Sequence, residues 1–88
     1  DIKVICETSN KPFNQNLNKR FSKVINFENK TVENLSGQPF DKLLVFNNYE
    51  IIMHNKIYSY TSSFNLGSYN WLVYDKNFID VFKCAKRR

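Results

Sequence analysis

The sequence is poor in the residues that build phosphate-binding loops and metal centres. It has only two glycines, one histidine and two cysteines among 88 residues. Gly37 and Gly67 are far apart, so no glycine-rich loop is present that would cradle a phosphate or a dinucleotide. One histidine and two remote cysteines do not supply a closed set of zinc ligands. We therefore expect neither a cofactor nor a metal ion.

Long hydrophobic segments are also missing. The apolar runs, such as LLVF at 43–46 and IIM at 51–53, are too short for a signal peptide or a membrane-spanning helix. The sequence begins at Asp1 and has no initiator methionine. Together these observations predict a mature exported protein from which a signal peptide has been removed.

Catalytic groups are equally scarce. A serine hydrolase needs a base beside its nucleophile, and the single histidine is His54. His54 precedes a predicted turn, where we expect a solvent-facing or locally hydrogen-bonded imidazole. Asp80 alternates with Phe78 and Phe82 on what should be an inward face. We interpret Asp80 as a local bulge or a salt bridge rather than as a glycosidase carboxylate, and we predict no enzymatic activity.

The two cysteines, Cys6 and Cys84, lie near opposite ends of the chain. This spacing favours a long-range disulfide over a metal site or a redox pair, with two free core thiols as the alternative. A bond that closes nearly the whole chain would stabilise the fold by ~4 kcal/mol on the chain-entropy model. Because such bonds persist in oxidising surroundings, we expect a periplasmic or secreted location.

Positive charge exceeds negative charge, and the formal net charge is +5. Such an excess favours anionic partners, but it is also an ordinary device for solubility. If the first and last strands are neighbours, one basic patch could contain Lys19, Arg20, Lys23, Lys83, Lys86, Arg87 and Arg88. The alternative is a basic tail beside a solvated strand face.

Short runs of alternating apolar and polar residues dominate the sequence, and turn residues separate them. The predicted hairpin turns are marked by Asn29-Lys30, Asn47-Asn48, Asn55-Lys56, Gly67 and Lys76-Asn77. This pattern predicts about eight short strands in an antiparallel meander, including strands near 41–46, 49–54 and 57–64. The meander closes into a small barrel or folds into a two-layer sandwich. Residues 1–88 are thus expected to form a single all-β domain, and the loop at 9–18 has room for a short helix.

Aromatic residues are concentrated in the segment YSYTSSFNLGSYNWLVYD at 58–75. Alternation in strand 57–64 predicts a core face with Tyr58, Tyr60 and Phe64, and a wet face with Ser59, Thr61 and Ser63. In the next strand, Tyr69, Trp71 and Val73 share one face, and Leu72 and Tyr74 share the other. We favour burial of this strand on both sides. The alternative is an exposed candidate binding surface that contains Tyr69 and Trp71.

The motifs VICET and FKCAKRR place one cysteine in the first strand and the other near the C-terminus. In this layout the chain resembles the small periplasmic inhibitors of C-type lysozyme, which are antiparallel β-barrels with such a disulfide. That family presents a Ser-Gly-containing loop to its target. The segment LSGQPF supplies Ser36, Gly37 and Phe40 there, so the resemblance implies a candidate binding surface and an inhibitor-like function. The basic charge opposes lysozyme itself as the target, because C-type lysozymes are also basic.

The sequence therefore predicts an exported, non-enzymatic binding or envelope-associated protein. We expect its partner to be a protein or an anionic component of the envelope, and not a nucleic acid. One alternative is single-stranded nucleic-acid binding on an aromatic and basic sheet face, which export opposes. Another is carriage of a small apolar ligand in the barrel lumen, although large aromatic residues would more readily fill a barrel of this size.

Overall fold

A computed structural model of the chain describes residues 1–14, 17–34 and 41–87. These residues contain eight strands and no helix. The strands are β1 (Ile2–Glu7), β2 (Arg20–Asn26), β3 (Thr31–Asn34), β4 (Lys42–Phe46), β5 (Glu50–Asn55), β6 (Tyr60–Asn65), β7 (Asn70–Tyr74) and β8 (Ile79–Arg87). The predicted all-β class is confirmed. No helix in the described ranges has the length and hydrophobicity needed to cross a membrane.

All the strands belong to one antiparallel sheet that curves into a nearly closed barrel. Their spatial order is β3-β2-β1-β8-β7-β6-β5-β4. Strands that are adjacent in sequence pair as hairpins, except that β3 and β4 form the two sheet edges. Near one end of the barrel, the ring of Phe27 from the β2–β3 turn contacts Phe46 of β4, with centroids 5.7 Å apart. Of the two predicted architectures, the barrel is the one that forms.

The pairing of β1 with β8 brings the first and last strands together. Cys6 lies directly opposite Cys84 in this ladder, and the two residues form the predicted disulfide across a sequence separation of 78. Within the described residues, this ladder is the only one that connects β1–β3 with β4–β8. The covalent bond therefore reinforces the pairing that joins the two halves of the sheet.

The interior of the barrel is filled by alternate residues of the strands. The largest fully buried side chains are Trp71, Phe64, Phe82, Ile25, Ile51 and Met53. Phe21 contacts Trp71 and Phe82 edge-on, with centroid distances of 5.3 and 4.8 Å. The ring centroids of Phe64 and Trp71 lie 5.2 Å apart, and these two rings are tilted by 34°. Such edge-to-face contacts between aromatic rings add to the stabilisation that burial itself provides.

The faces predicted for the strand at 57–64, which is β6 in the structure, are correct only from Tyr60 onward. Phe64 is fully buried and Tyr60 is half-buried against the core. Tyr58 is not a core residue, because β6 begins at Tyr60 and residues 56–59 form the preceding turn. Tyr58 N–H donates to Asn55 Oδ1 at 2.9 Å, and Ser59 has a positive φ of 56°. This wider turn leaves Tyr58 48% exposed.

Asp80 faces inward, but its interpretation as a bulge or a salt bridge was wrong. The β7–β8 register runs through Asp80 without a shift. Its carboxylate, which is only 6% exposed, accepts hydrogen bonds from the backbone N–H groups of Phe13 at 2.8 Å and Asn14 at 3.1 Å. Buried carboxylates are stabilised by such backbone donors as well as by cations. Asp80 therefore fixes the loop between β1 and β2 to the barrel.

Substitutions on the two faces of β6 should differ in their effect on the free energy of unfolding. Phe64→Ala removes a fully buried ring and should lower the free energy of unfolding by ~3–5 kcal/mol. Ser63→Ala, at the adjacent outward position, should change it by no more than ~0.5 kcal/mol. Urea denaturation followed by circular dichroism measures both variants with the disulfide intact. Similar losses in the two variants would contradict the assignment of the faces.

Candidate binding site at the mouth of the barrel

The barrel core leaves a cavity at the end where the odd-numbered strands finish, which we term the mouth. The cavity has a volume of about 240 Å³. Its polar lining includes Lys23, Asp41, Tyr60 and Ser62, and its aromatic wall is formed by Phe21 and Trp71. These residues come from β2, β6, β7 and the position before β4. Closure of the barrel is therefore what brings them together.

Lys23 lies on the inward face of β2, between Phe21 and Ile25. Its Nζ atom lies 5.8 Å from the ring centroid of Phe21 and 6.0 Å from that of Trp71, within the range of a cation–π interaction. Burial lowers the pKa of the Lys23 ammonium, and the negative charge of Asp41 opposes this change. Lys23 thus faces the cavity and does not belong to an outer basic patch.

Asp41 contributes a carboxylate to the same cavity. Its Oδ1 atom is buried and has no hydrogen-bond partner. Among the described residues, the only ion pair within 4.0 Å joins Arg20 to Glu7, so Lys23 and Asp41 are farther apart than this limit. A buried polar atom without a partner is costly. The cavity therefore contains a cation and an anion that do not neutralise each other by direct contact.

Two hydroxyl groups on the inward face of β6 and the side chains of Asn18 and Asn34 also belong to the polar lining. Burial raises the pKa of the Tyr60 phenol to about 12, and the negative charge of Asp41 acts in the same direction. The phenol therefore keeps its proton at neutral pH. Ser62 is only 2% exposed. Because each hydroxyl can donate and accept, Tyr60 and Ser62 can adapt to either kind of polar group in a ligand.

The structure separates Tyr69 and Trp71, which the alternative interpretation of this strand placed together on an exposed surface. Trp71 is 1% exposed and forms an inner wall of the mouth cavity. Tyr69 lies in the β6–β7 turn at the opposite end, where its φ is 58° and its ring contacts Phe64 with centroids 5.3 Å apart. Leu72 and Tyr74 point outward from β7 and are half-buried. The preferred prediction of a buried strand therefore holds for the inner face of β7 only.

The other predicted site residues lie on the outer surface or outside the described residues. Ser36, Gly37 and Phe40, implied by the lysozyme-inhibitor resemblance, are outside the described residues, and so is Arg88. The remaining residues of the predicted basic patch are exposed on or next to β2 and β8: Lys19, Arg20, Lys83, Lys86 and Arg87.

His54 lies on the outer face of β5, away from the mouth cavity. Its Nδ1 atom is 3.3 Å from Oγ1 of Thr61, its cross-strand neighbour. This is the local hydrogen bond that was expected for the imidazole. Among the residues that the structure describes, no group of three or more His, Cys, Asp or Glu side chains could hold a metal ion.

The sequence alone did not predict that Lys23 and Asp41 both line the mouth cavity. Lys23 could have been found, because the alternation of Phe21, Lys23 and Ile25 puts the lysine on an apolar face. Asp41 carries no comparable signal, since it precedes β4 and belongs to no alternating pattern. Its position in the cavity depends on how β4 meets the rest of the barrel.

The phenol of Tyr60 gives a direct test of burial at the mouth. Its pKa of about 12 lies above the ordinary value of 10.0, so it contributes stability that is complete below pH 10.0 and is lost as the pH rises through about 12. The difference between the phenolate absorbance titrations of the wild-type protein and Tyr60→Phe isolates this group. We expect its midpoint at a pH of about 12. Tyr74→Phe is the control on the outer face, and a Tyr60 midpoint at the ordinary value would contradict the burial.

Comparison with known proteins does not extend the description of this site. The resemblance to lysozyme inhibitors stays a resemblance of layout, and the residues of the mouth are known from their geometry alone. No family model, no curated protein and no solved structure matches this chain.

Proposed function

We propose that this protein is an exported, non-enzymatic binding protein and that the mouth cavity is its binding site. The observation that carries the proposal is the cavity itself, whose lining contains Lys23 and Asp41 without an ion pair between them. Partly buried charged groups without a partner of opposite charge are costly. A ligand that bonds to these groups would reduce this cost, and the free energy recovered would contribute to affinity.

Two further observations support this proposal. A disulfide in so small a domain is compatible with an oxidising, exported location, so we propose a periplasmic or secreted protein. Both cysteines are held in that bond, and His54 is hydrogen-bonded on the outer face of β5. The polar groups among the described residues that line the mouth are therefore a lysine, a carboxylate, two hydroxyls and the amides of Asn18 and Asn34, which suits recognition by hydrogen bonds.

The position of Trp71 and the charges of the mouth weigh against the two alternative functions. Base stacking requires an accessible aromatic face, and Trp71 is 1% exposed. An apolar ligand in the mouth would shield Lys23 and Asp41 further from water without satisfying either. A small polar ligand fits the cavity better than a base or a hydrocarbon.

Trp71 also supplies the readout for a binding test. It is the only tryptophan of the chain and it lines the cavity, so its emission reports on the mouth. We expect at least one compound from a panel of free amino acids, monosaccharides, carboxylic acids and amines to change this emission and to raise the melting temperature.

Neighbouring serines on β6 provide the matched variants for this test. Ser62→Val should weaken binding by ~10-fold or more, because it removes a hydroxyl from the cavity. Ser63→Val, on the outer face, should bind as the wild-type protein does. Binding that is insensitive to Ser62→Val, or no binding by any compound of the panel, would refute the mouth as the binding site.

A second candidate function, association with an anionic envelope component, is favoured by the outer face of β1 and β8. Lys3 lies directly opposite Arg87 in that ladder, and like charges in this arrangement are destabilising. Lys83 and Arg20 are the cross-strand neighbours of Glu7, so only one acid lies among four basic residues. An anionic surface would relieve the repulsion between Lys3 and Arg87.

Sedimentation with lipid vesicles tests this association. The protein should bind vesicles that contain phosphatidylglycerol more strongly than vesicles of phosphatidylcholine alone, and salt should weaken the binding. Lys3→Gln/Arg87→Gln should reduce binding by ~10-fold or more. Lys42→Gln/Lys56→Gln removes the same charge from other exposed positions and should have a smaller effect. Equal effects of the two double variants would show that net charge alone is responsible.

A further inference from the structure

We infer that the mouth cavity binds a zwitterionic ligand, a free α-amino acid, with the ligand carboxylate at Lys23 and the ligand ammonium at Asp41. This inference rests on the proposed function, because it names the ligand class of the same site. It follows from the charges of the cavity, their separation, the remaining lining and the size of the space.

The two charges of the cavity select against ligands with a single charge. An anion would be attracted by Lys23 and repelled by Asp41, and a cation would experience the reverse. The two groups are close enough for Asp41 to oppose the lowering of the pKa of Lys23, so a ligand in the cavity experiences both. A ligand with one charge of each sign is attracted by both groups when it is oriented correctly.

The two charged groups of the cavity do not pair directly with each other. Lys23 and Asp41 form no ion pair within 4.0 Å, although each would be stabilised by a partner of opposite charge. Charge-assisted hydrogen bonds of ~2.8 Å at both ends of an amino acid would supply those partners. The ligand ammonium would donate to the carboxylate of Asp41, which lines the cavity. The ligand carboxylate would accept from the ammonium of Lys23.

The rest of the lining matches the other parts of an amino acid. The hydroxyls of Tyr60 and Ser62 can bond the remaining oxygen of the carboxylate or a further N–H of the ammonium. Phe21, which is only partly buried, provides apolar surface for a side chain. The volume of about 240 Å³ lies below the range typical of drug-sized ligands, which favours a single small molecule over a peptide.

A monosaccharide is the strongest competing ligand, since hydroxyls can also donate to Asp41 and accept from Lys23. It would form these hydrogen bonds without neutralising either charge. Lys23 has no carboxylate within ion-pair distance among the described residues, and a ligand carboxylate would provide that partner. The electrostatics of the cavity therefore favour the zwitterion.

The test uses Trp71 emission and calorimetry with leucine, phenylalanine, serine and glutamine as probes. For the amino acid that binds most tightly, we expect its amide, which lacks the carboxylate, and its N-acetyl derivative, which lacks the ammonium, each to bind ~10-fold more weakly or worse. Glucose is the neutral comparison. These measurements need only the wild-type protein, so they decide the question even if a variant fails to fold.

Two variants then test which residue binds the carboxylate of the ligand and which binds its ammonium. Lys23→Met should abolish the preference for the free acid over the amide, and Asp41→Asn should abolish the preference for the free amine over the N-acetyl derivative. Lys42→Met and Glu33→Gln make the same changes at an exposed and a half-buried position on the sheet edges and should preserve both preferences. Circular dichroism confirms that each variant is folded.

Three results would overturn the inference. Amide and N-acetyl derivatives that bind as tightly as the free amino acid would show that the two charges of the ligand are not recognised. Binding of glucose without any amino acid, lost in Ser62→Val, would overturn the zwitterion but leave the mouth as a binding site. If neither these probes nor the wider panel binds, the inference and the proposed function fail together.

Discussion

The ladder between β1 and β8 is the constraint on which the rest of the structure depends. Within the described residues, each half of the sheet is a series of local hairpins, and this ladder alone joins them. Its formation brings residues from opposite ends of the chain together, and the loop-closure entropy of that step grows with the length of chain enclosed. The disulfide between Cys6 and Cys84 removes much of this cost from folding of the oxidised chain, which is valuable to a domain with a small core.

The mouth cavity exists because of this connection. Phe21 and Lys23 belong to one half of the sheet, and Tyr60, Ser62 and Trp71 belong to the other. The edge-on contact of Phe21 with Trp71 shows that the halves meet inside the barrel as well as along the ladder. Aromatic side chains fill the lumen beyond the mouth. Polar side chains line the mouth, where they can form hydrogen bonds with water or with a ligand. The aromatic core and the polar lining are thus separated along the same lumen.

Much of the fold could be predicted because strand residues alternate between core and solvent. This rule placed Cys6, Phe64 and Asp80 on inward faces. It failed at Tyr58, where the rule was applied across a turn whose hydrogen bonds depend on Asn55. The candidate site was harder to predict, because its residues converge only when the barrel closes. A lysine is also expected at the surface, and Lys23 was therefore assigned to the outer basic patch.

The sheet is open between β3 and β4, and this position of the opening determines how the order of the strands along the chain relates to their order in the sheet. The break lies between β3 and β4, whereas the strands that carry the two termini are neighbours, with Lys3 opposite Arg87. A circular permutant that joins residue 87 to residue 2 by a short turn and begins at β4 would have the strand order 4-5-6-7-8-1-2-3. Every ladder would then connect consecutive strands, and the contact order would fall without any change in the barrel. The described strands thus have the pairing of an up-and-down meander, except that β1 and β8 lie in the middle of the sheet and β3 and β4 lie at its edges.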